Sequence, residues 1–483
     1  MSVNDRIATQ IKRYTKITPS NASGSGRFSF SGGNPIIRLS IAEQDAFLLA
    51  PETRLQFKFR AFKDSTKTNS VGSATAGSAD AGEATTINID PKIGVQAIIN
   101  TLTISSRRYA TSICEQIHNY NQLVSVAHPS LKSTRDLATH KNHEQMCVGQ
   151  GILDRSEYGA RLDKVEQGRV NNLALQQNYL KSIVAVASNA GQAVQNEGID
   201  CSIQLYAGMF MSDNIDLRLM GGLEIEISLA PDANVFNAAT SNTCYEISDV
   251  ILNAPLLYKS ANQMAQGIQP ATLQFLTWSS LYNVIQSTNA TITNKVGLRG
   301  ALSMVQKFVP IAYLNNPTLQ RDGVTGCNAF AGWNVGIKRL TYHRNGQRFP
   351  NEYQIITNRG DLEPPKEVMA EKTPMVLINS LSAFENYKDV KHTHLTSQNL
   401  DDRQNGVYFL GVSFDQISGQ GIDLSGGTIS TELESSLQDP SPTLAAITEV
   451  PASYPAVPFG VFTFFLNKNT LVVQPNQRIQ SIE

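Results

Sequence analysis

Residues 223–229, LEIEISL, decide the fold class of this chain. Apolar residues stand at every second position of the stretch, at Leu223, Ile225, Ile227 and Leu229. With carboxylates between them, this pattern is typical of a β-strand that has one buried face and one wet face. Pro231 ends the strand, residues 230–243 are rich in turn formers, and a new strand-like run begins at Tyr245. We therefore predict two β-rich halves of similar length, with a boundary near residue 238.

The composition favours a large β-protein with many loops. The chain has 483 residues, enough for two or three domains. Charged residues make up only 17%, against about 25% in an average soluble protein, and small polar residues fill the difference. The net charge of −1 at pH 7 argues against a general nucleic-acid binder, because no overall cationic field is available for phosphate.

No targeting or disulfide pattern stands out. The first residues, MSVNDRIATQIKRYTK, lack the apolar region of a signal peptide, and no run approaches the length of a membrane span, so we expect a protein that is not secreted. The five cysteines are scattered, without a C-x-x-C pair: Cys114, Cys147, Cys201, Cys244 and Cys327. Their odd number and wide spacing argue against a disulfide framework and a zinc ribbon, and they favour a reducing compartment.

Further strand candidates lie on both sides of the boundary. In the first half they are IIRLSI (36–41), RLQFKFRAF (54–62) and IGVQAIINTLTISS (93–106). In the second half they cover 245–258, 273–285, 301–314, 335–343, 352–356, 407–414, 428–434, 461–466 and 470–474. Many short strands without alternating long helices favour sandwiches or barrels over βαβ units.

Three segments depart from this pattern. Apolar spacing of four, three and four residues predicts a short helix over 113–124. Residues 64–86 are polar and small, so we expect a long exposed loop there. Residues 128–196 carry an imperfect helical stripe and are interpreted as a helix-bearing insertion.

Residues 1–33 form a basic arm. Its cationic residues are Arg6, Lys12, Arg13 and Lys16. They interleave with Ile7, Ile11 and Tyr14 at a spacing compatible with a short amphipathic helix. Such a segment would touch a membrane surface, nucleic acid or a neighbouring subunit. The alternative is a frayed terminus that carries a few charges by chance.

No active site is indicated. Two histidine groups have a conceivable metal-ligand spacing, His140 and His143 with Cys147, and His392 with His394, but neither has a complete ligand set. Glu224 and Glu226 share a strand face, and a pair of carboxylates can catalyse glycoside hydrolysis. Two carboxylates on one face also occur simply on the solvent-exposed side of a strand. Nucleophile-elbow, zinc-protease and phosphate-loop motifs are absent from the sequence. We predict no catalytic residue, no metal and no cofactor.

The sequence resembles the double jelly-roll major capsid proteins of the adenovirus–tectivirus (PRD1-like) lineage, most of all those of polinton-like viruses and virophages. The segments that carry the resemblance are IGVQAIINTLTISS (93–106), EQIHNYNQLV (115–124), LYAGMF (205–210), LRLMGGLEIEISLAPDANVF (217–236), CYEISDVILNAPLLY (244–258) and SGQGIDLSGGTISTELE (418–434). It covers most of the chain but is a pattern of degenerate strands without an invariant motif.

The resemblance implies an all-β fold of two tandem eight-stranded jelly rolls with helical and loop insertions. With the arm at 1–33, the rolls would span 34–238 (insertions at 64–86 and 128–196) and 239–475, with a tail at 476–483. The seam between the rolls would be formed by Leu223, Ile225, Ile227, Leu229, Tyr245 and Ile247.

The resemblance also implies a function. Homotrimers with a pseudo-hexagonal outline would tile an icosahedral shell, contacting neighbouring capsomers and minor capsid and penton proteins. The arm residues Arg6, Lys12, Arg13 and Lys16 would face an internal membrane or the genome. The protein would be made in the host cytosol or nucleus and end in the virion. Two alternatives stay open: a lectin-like β-sandwich attachment protein, and a cupin-type metalloenzyme that uses His392 and His394.

Overall fold

The structure of the chain is a computed structural model. It describes residues 12–22, 24, 26–62, 88–89, 93–108, 112–131, 199–212, 214–238, 244–260, 264, 270–286, 289–311, 314, 330, 337–348, 354–355, 380–384, 408–414, 421–435, 458–474 and 479–482. The predicted loop at 64–86 lies outside these residues, and so does the predicted insertion at 128–196 beyond Leu131.

Twelve of the described strands precede residue 260. They are β1 (Lys12–Ile17), β2 (Ile36–Ile41), β3 (Ala46–Leu48), β4 (Arg54–Phe62), β5 (Asn88–Ile89), β6 (Ile99–Ser106), β7 (Ser112–Ile117), β8 (Ile199–Ile203), β9 (Ile215–Asp216), β10 (Leu223–Leu229), β11 (Phe236–Ala238) and β12 (Cys244–Tyr258). Between them lie helices α1 (Tyr120–Leu131), α2 (Gly208–Met211) and α3 (Leu217–Met220). Short 3-10 helices cover Ala50–Glu52, Gly94–Ile98 and Asp232–Asn234.

These strands form two large sheets, which together make up the first half of the molecule. One has the order β8-β4-β12-β3-β9, with β1 also paired to β12, and the other has the order β2-β10-β6-β7. Strands β11 and β5 form a separate pair. Strand β10 lies between β2 and β6 and buries every second side chain, as its alternating sequence predicts.

The second half also contains two large sheets among the described residues. Its strands are β13 (Ala271–Ile285), β14 (Asn289–Lys295), β15 (Ala301–Pro310), β16 (Ile337–Arg344), β17 (Gln347–Arg348), β18 (Gln354–Ile355), β19 (Leu410–Ser413), β20 (Thr428–Ser435), β21 (Phe459–Val473) and β22 (Gln480–Ile482). One sheet has the order β13-β21-β15-β19, with β22 on β21, and the other has the order β14-β20-β16-β17, with β18 on β16.

The longest ladder of the second half joins its first strand to its last long strand. All 15 residues of β13 pair with β21, from Ala271 opposite Val473 to Ile285 opposite Phe459. The first nine residues of β21, FGVFTFFLN, are buried, which explains their nearly continuous apolar sequence. The two predicted strands at 461–466 and 470–474 are therefore parts of one long strand.

The strand pairing gives a different boundary between the halves from the predicted one. Strand β12 pairs with β4 from Cys244 to Asn253 and with β1 from Leu252 to Leu257, so it belongs to the first half. The change of sheets falls between Tyr258 and Ala271, not at residue 239. Part of the predicted C-terminal tail, 480–482, is strand β22 and pairs with β21.

Two predicted helices are corrected by the structure. Residues 112–117 are strand β7, and the helix begins only at Tyr120, because Asn119 adopts a positive φ of 51° that turns the chain out of the sheet. In the arm, residues 12–17 are strand β1, because their backbone groups pair with distant residues 252–257 of β12, which local spacing cannot reveal. Within 93–106, a 3-10 helix precedes the strand.

No described helix has both the length and the apolar character needed to cross a membrane.

Candidate functional site

The described residues that join the two halves form a buried polar junction. It contains β7, α1 and α2 of the first half and β13, β15 and β21 of the second half. Among the described strands, β7 is an edge strand of its sheet, and β13 is an edge strand of its own sheet. The junction is therefore built where two sheet edges meet, and its hydrogen bonds come mainly from side chains.

Glu115 on β7 is the central acceptor of the junction. Its Oε1 accepts hydrogen bonds from the hydroxyl of Thr277 at 2.5 Å and from the backbone N–H of Gly208 at 2.8 Å. Its Oε2 accepts from the N–H of Met209 at 3.0 Å. One carboxyl group thus links β7 and α2 to β13 of the other half.

Burial changes the acidity of this carboxyl group. The side chain is fully enclosed, and desolvation raises the pKa of Glu115 to about 7, while its three hydrogen bonds act in the opposite direction. Burial likewise raises the pKa of the adjacent Cys114 thiol to about 12. With this pKa, the Glu115 carboxyl group changes its protonation state near neutral pH.

Helix α2 begins in direct backbone contact with β13. A Cβ atom added to Gly208 would lie 1.6 Å from the carbonyl oxygen of Leu276, a distance that no side chain tolerates. Only glycine lets the N–H groups of 208 and 209 reach Glu115 while the chain passes this close to β13.

Three more hydrogen-bonding groups connect the halves. The Asn469 amide donates to the Cys114 carbonyl at 3.0 Å, and the Ser280 hydroxyl donates to the His118 carbonyl at 2.7 Å. Lys307 of β15 is buried, and its Nζ donates to Oε1 of Gln122 at 2.8 Å and to Oγ of Ser125 at 2.6 Å, both on α1. An ammonium group buried in this way needs such acceptors to offset its lost hydration.

Tyr120 fixes the position of α1 on the first-half side. Its hydroxyl donates to Oε1 of Gln96 at 2.7 Å and accepts from the N–H of Tyr206 at 2.8 Å. These bonds connect α1 to the 3-10 helix before β6 and to the segment between β8 and α2. Tyr120 thus fixes α1 to the first half, and the same helix contacts the second half through Gln122 and Ser125.

The residues predicted for the seam lie within the first half instead. Leu223, Ile225, Ile227 and Leu229 are buried side chains of β10, and Ile247 is buried on β12. Tyr245 stacks on Phe59 with ring centroids 6.0 Å apart, and its hydroxyl donates to the Ala230 carbonyl at 2.6 Å. The junction contacts described above involve none of these six residues.

The signal that identifies the junction in the sequence is weak. Lys307 is a single cation inside the apolar run SMVQKFVP, and Glu115 is a single acid inside SICEQI. A lone charge within an apolar strand suggests a buried polar contact, but it does not reveal the partner strand.

Residues 12–17 of the arm, which form β1, pair with an edge of β12. Lys12 forms an exposed ion pair with Glu52 at 2.6 Å, and this contact raises the pKa of Lys12. The Arg13 guanidinium lies 5.6 Å from the ring centroid of Tyr258, and Lys16 is exposed. Tyr14 is 64% exposed. The fourth predicted arm residue, Arg6, lies outside the described residues.

A second set of contacts ties the arm to the other sheet of the first half. The Asn21 side chain donates to the Ile36 carbonyl at 2.8 Å and accepts from the Arg38 N–H at 2.9 Å. The Ser20 N–H donates to the Arg38 carbonyl at 2.8 Å. Residues 12–22 therefore bridge β12 and β2 at one side of the first half.

The candidate catalytic groups show no active-site geometry where they are described. Glu226 pairs with Arg38 on the outer face of its sheet at 2.8 Å, as expected for the wet side of a strand, and Glu224 is on the same face. The residues that the structure covers contain no group of three or more potential metal ligands. His140, His143, Cys147, His392 and His394 lie outside the described part.

The fold is similar to that of viral capsid proteins over nearly the whole chain. The crystal structure of PBCV-1 VP54, fitted into a reconstruction of the virophage Sputnik, matches with a TM-score of 0.54 and 8% identity, covering 98% of this chain and 97% of that one. A quasi-atomic model of the PBCV-1 capsid matches with a TM-score of 0.52 and 9% identity, covering 98% and 97% of the two chains.

A cryo-EM structure of the Sputnik virophage also matches, with a TM-score of 0.52, 10% identity and coverage of 98% of this chain and 88% of that one. These likenesses confirm the predicted fold, an all-β double jelly roll. No protein-family model matches the sequence, and no curated protein matches it.

Proposed function

We propose that this protein is the major capsid protein of a virus. The observation that supports the proposal is the likeness to PBCV-1 and Sputnik capsid structures along 98% of the chain. A likeness of this extent includes both halves and their connection, so it concerns the whole building block and not a single β-sandwich module.

The proposed building block is a homotrimer with a pseudo-hexagonal outline that tiles an icosahedral shell. Each chain would contribute its two jelly rolls, held together by the junction around Glu115 and Lys307. Buried polar contacts fix the geometry of such a pair because each partner left alone would be desolvated without compensation. The role is structural rather than catalytic, and the protein resides in the virion.

Further partners follow from this role. Neighbouring capsomers and minor capsid and penton proteins would contact the trimer in the shell. The arm is the proposed contact to an internal membrane or the genome, since Lys12, Arg13 and Lys16 lie exposed on β1 and anionic surfaces attract such groups.

The oligomeric state of the purified protein tests the proposal. Light scattering coupled to size exclusion should give a particle of about three times the chain mass of 52.7 kDa, and negative-stain images should show hexagonal outlines. A stable monomer at micromolar concentration would contradict the trimer and favour the attachment-protein alternative.

A further inference from the structure

Glu115 is a buried acid whose contacts come from both halves. Two of its three partners, the N–H groups of Gly208 and Met209, can only donate hydrogen bonds. The third partner, the hydroxyl of Thr277 in the other half, can donate or accept. The bond that crosses the junction is therefore the one whose direction can reverse.

The elements nearest to this carboxyl group contain no countercharge. Strands β6 (INTLTISS) and β13 (ATLQFLTWSSLYNVI) and helix α2 (GMFM) have no Asp, Glu, Lys, Arg or His. Next to Glu115 on β7 stands the buried thiol of Cys114, and exposed His118 follows the strand. Within the described elements around it, the ionised form of Glu115 is thus stabilised by hydrogen-bond dipoles and not by a cation.

Other titratable groups of the junction are engaged or point to solvent. Lys307 on β15 donates to Gln122 and Ser125, and Lys468 on β21 is exposed. On α1, the Tyr120 hydroxyl bonds to Gln96 and Tyr206.

The remaining titratable side chain of α1, His128, is buried, with its ring 5.1 Å from the ring of Tyr206. The contacts described for Lys307, Tyr120 and His128 are thus made to Gln122, Ser125, Gln96 and Tyr206.

We propose that protonation of Glu115 holds the two jelly rolls together and that its deprotonation favours their separation. In the protonated form the carboxyl O–H donates to the hydroxyl oxygen of Thr277, and its lone pairs still accept from Gly208 and Met209. In the ionised form the proton passes to solvent, and a charge remains buried between the halves. Opening of the junction lets water solvate that charge.

The direction of the pH effect follows from linkage. The pKa of Glu115 is about 7 in the closed junction, above the ordinary 4.5 of an exposed carboxyl. The closed form therefore binds the proton more tightly than the open form does. The stability of the closed form falls as the pH rises from 4.5, the ordinary pKa of an exposed carboxyl group, through about 7. Acid closes the junction, and mild alkali opens it. This inference concerns a single chain and does not rest on the proposed assembly.

Hydrogen exchange of the full-length protein, corrected for intrinsic exchange rates, tests the proposal. The opening equilibrium constant of peptides from 112–117 and 271–285 should rise about 30-fold between pH 5.5 and pH 8.5, as linkage gives for such a difference in pKa. Glu115→Gln, which carries no titrating proton, should remove most of this rise. Glu226→Gln, a change at an exposed carboxylate of the same half, should keep it.

The wild-type protein also contains its own control, peptide 428–435 in β20, which lies in the other sheet of the second half. Exchange there should lack the rise seen at the junction. An equal slope in β20 and at the junction, an unchanged slope in Glu115→Gln, or better protection at alkaline pH would each overturn the proposal. The wild-type comparison decides the matter even if Glu115→Gln does not fold.

Discussion

The Nζ atom of Lys307 lies 2.8 Å from Oε1 of Gln122, and this contact joins residues of the two halves that are 185 positions apart in the chain. Both side chains are buried. The contact therefore serves as a probe of how strongly the halves are coupled, because removal of either partner acts on a desolvated group.

Gln122→Leu should destabilise the protein more than Lys307→Met does. The first change leaves a buried ammonium with one acceptor fewer and should cost about 1–3 kcal/mol. The second removes the charge together with its need for acceptors and keeps a similar volume, so its cost should be smaller. Urea unfolding followed by tryptophan fluorescence measures both.

The exposed Gln274 on β13 provides the matched control, Gln274→Leu, which should have little effect. The double variant Gln122→Leu with Lys307→Met should recover part of the loss in Gln122→Leu. Equal effects at positions 122 and 274 would contradict the coupling.

Gly208→Ala should weaken the junction although it adds a single methyl group. The new Cβ would lie 1.6 Å from the Leu276 carbonyl oxygen, so α2 or β13 has to move, at a cost of about 1–3 kcal/mol. Thermal unfolding by calorimetry should show a lower midpoint. Gly297→Ala is the control, since nothing lies within 4 Å of its added Cβ, and the two variants should differ clearly.

Truncation of residues 1–17 should cause self-association beyond that of the full chain. It uncovers the backbone groups of β12 from Leu252 to Leu257, and an open strand edge pairs readily with other chains. Light scattering at increasing protein concentration measures the effect. The control is Lys16→Ser, which keeps the strand, removes one exposed charge and should behave like the unaltered protein. If the truncated chain associates no more than the full chain does, the protective role of β1 is refuted.

The thiol of Cys114 should resist alkylation in the native protein at pH 8. Its pKa is raised to about 12 and its side chain is buried, so the reactive thiolate is scarce and inaccessible. Iodoacetamide labelling followed by peptide mass spectrometry should detect modification at this site only after unfolding. Rapid labelling under native conditions would show that β7 opens easily.

The elements predicted best from the sequence are those whose own pattern determines their structure. Strands β2, β4 and β10 were predicted with the bounds that the structure gives, because alternation places one set of side chains in the core whatever the partner strand. The predicted boundary near residue 238 differs from the boundary that the strand pairing gives, for a related reason. A polar, turn-rich segment looks the same whether it connects two domains or two strands of one domain, and the pairing of β12 with β4 is not local.

The junction illustrates a different limit. Leu223 and its neighbours are conspicuous in the sequence but belong to the first-half core, whereas Glu115, Thr277 and Lys307 stand in unremarkable positions. Their importance arises from contacts across more than 160 residues of chain, as in the bond from Thr277 to Glu115. The helical spacing at 113–124 misled for the same reason, since β6 as a partner makes 112–117 a strand.

The pairing of β13 with β21 has a consequence for folding during synthesis, because β21 is made much later than β13. Strand β13 leaves the ribosome well before its partner, because Ala271 pairs with Val473, which lies far downstream in the chain. During that interval the edge of β13 is open to the same strand of another nascent chain on the polysome. We therefore expect correct folding of this protein to depend on how its translation rate compares with the rate of encounters between neighbouring nascent chains.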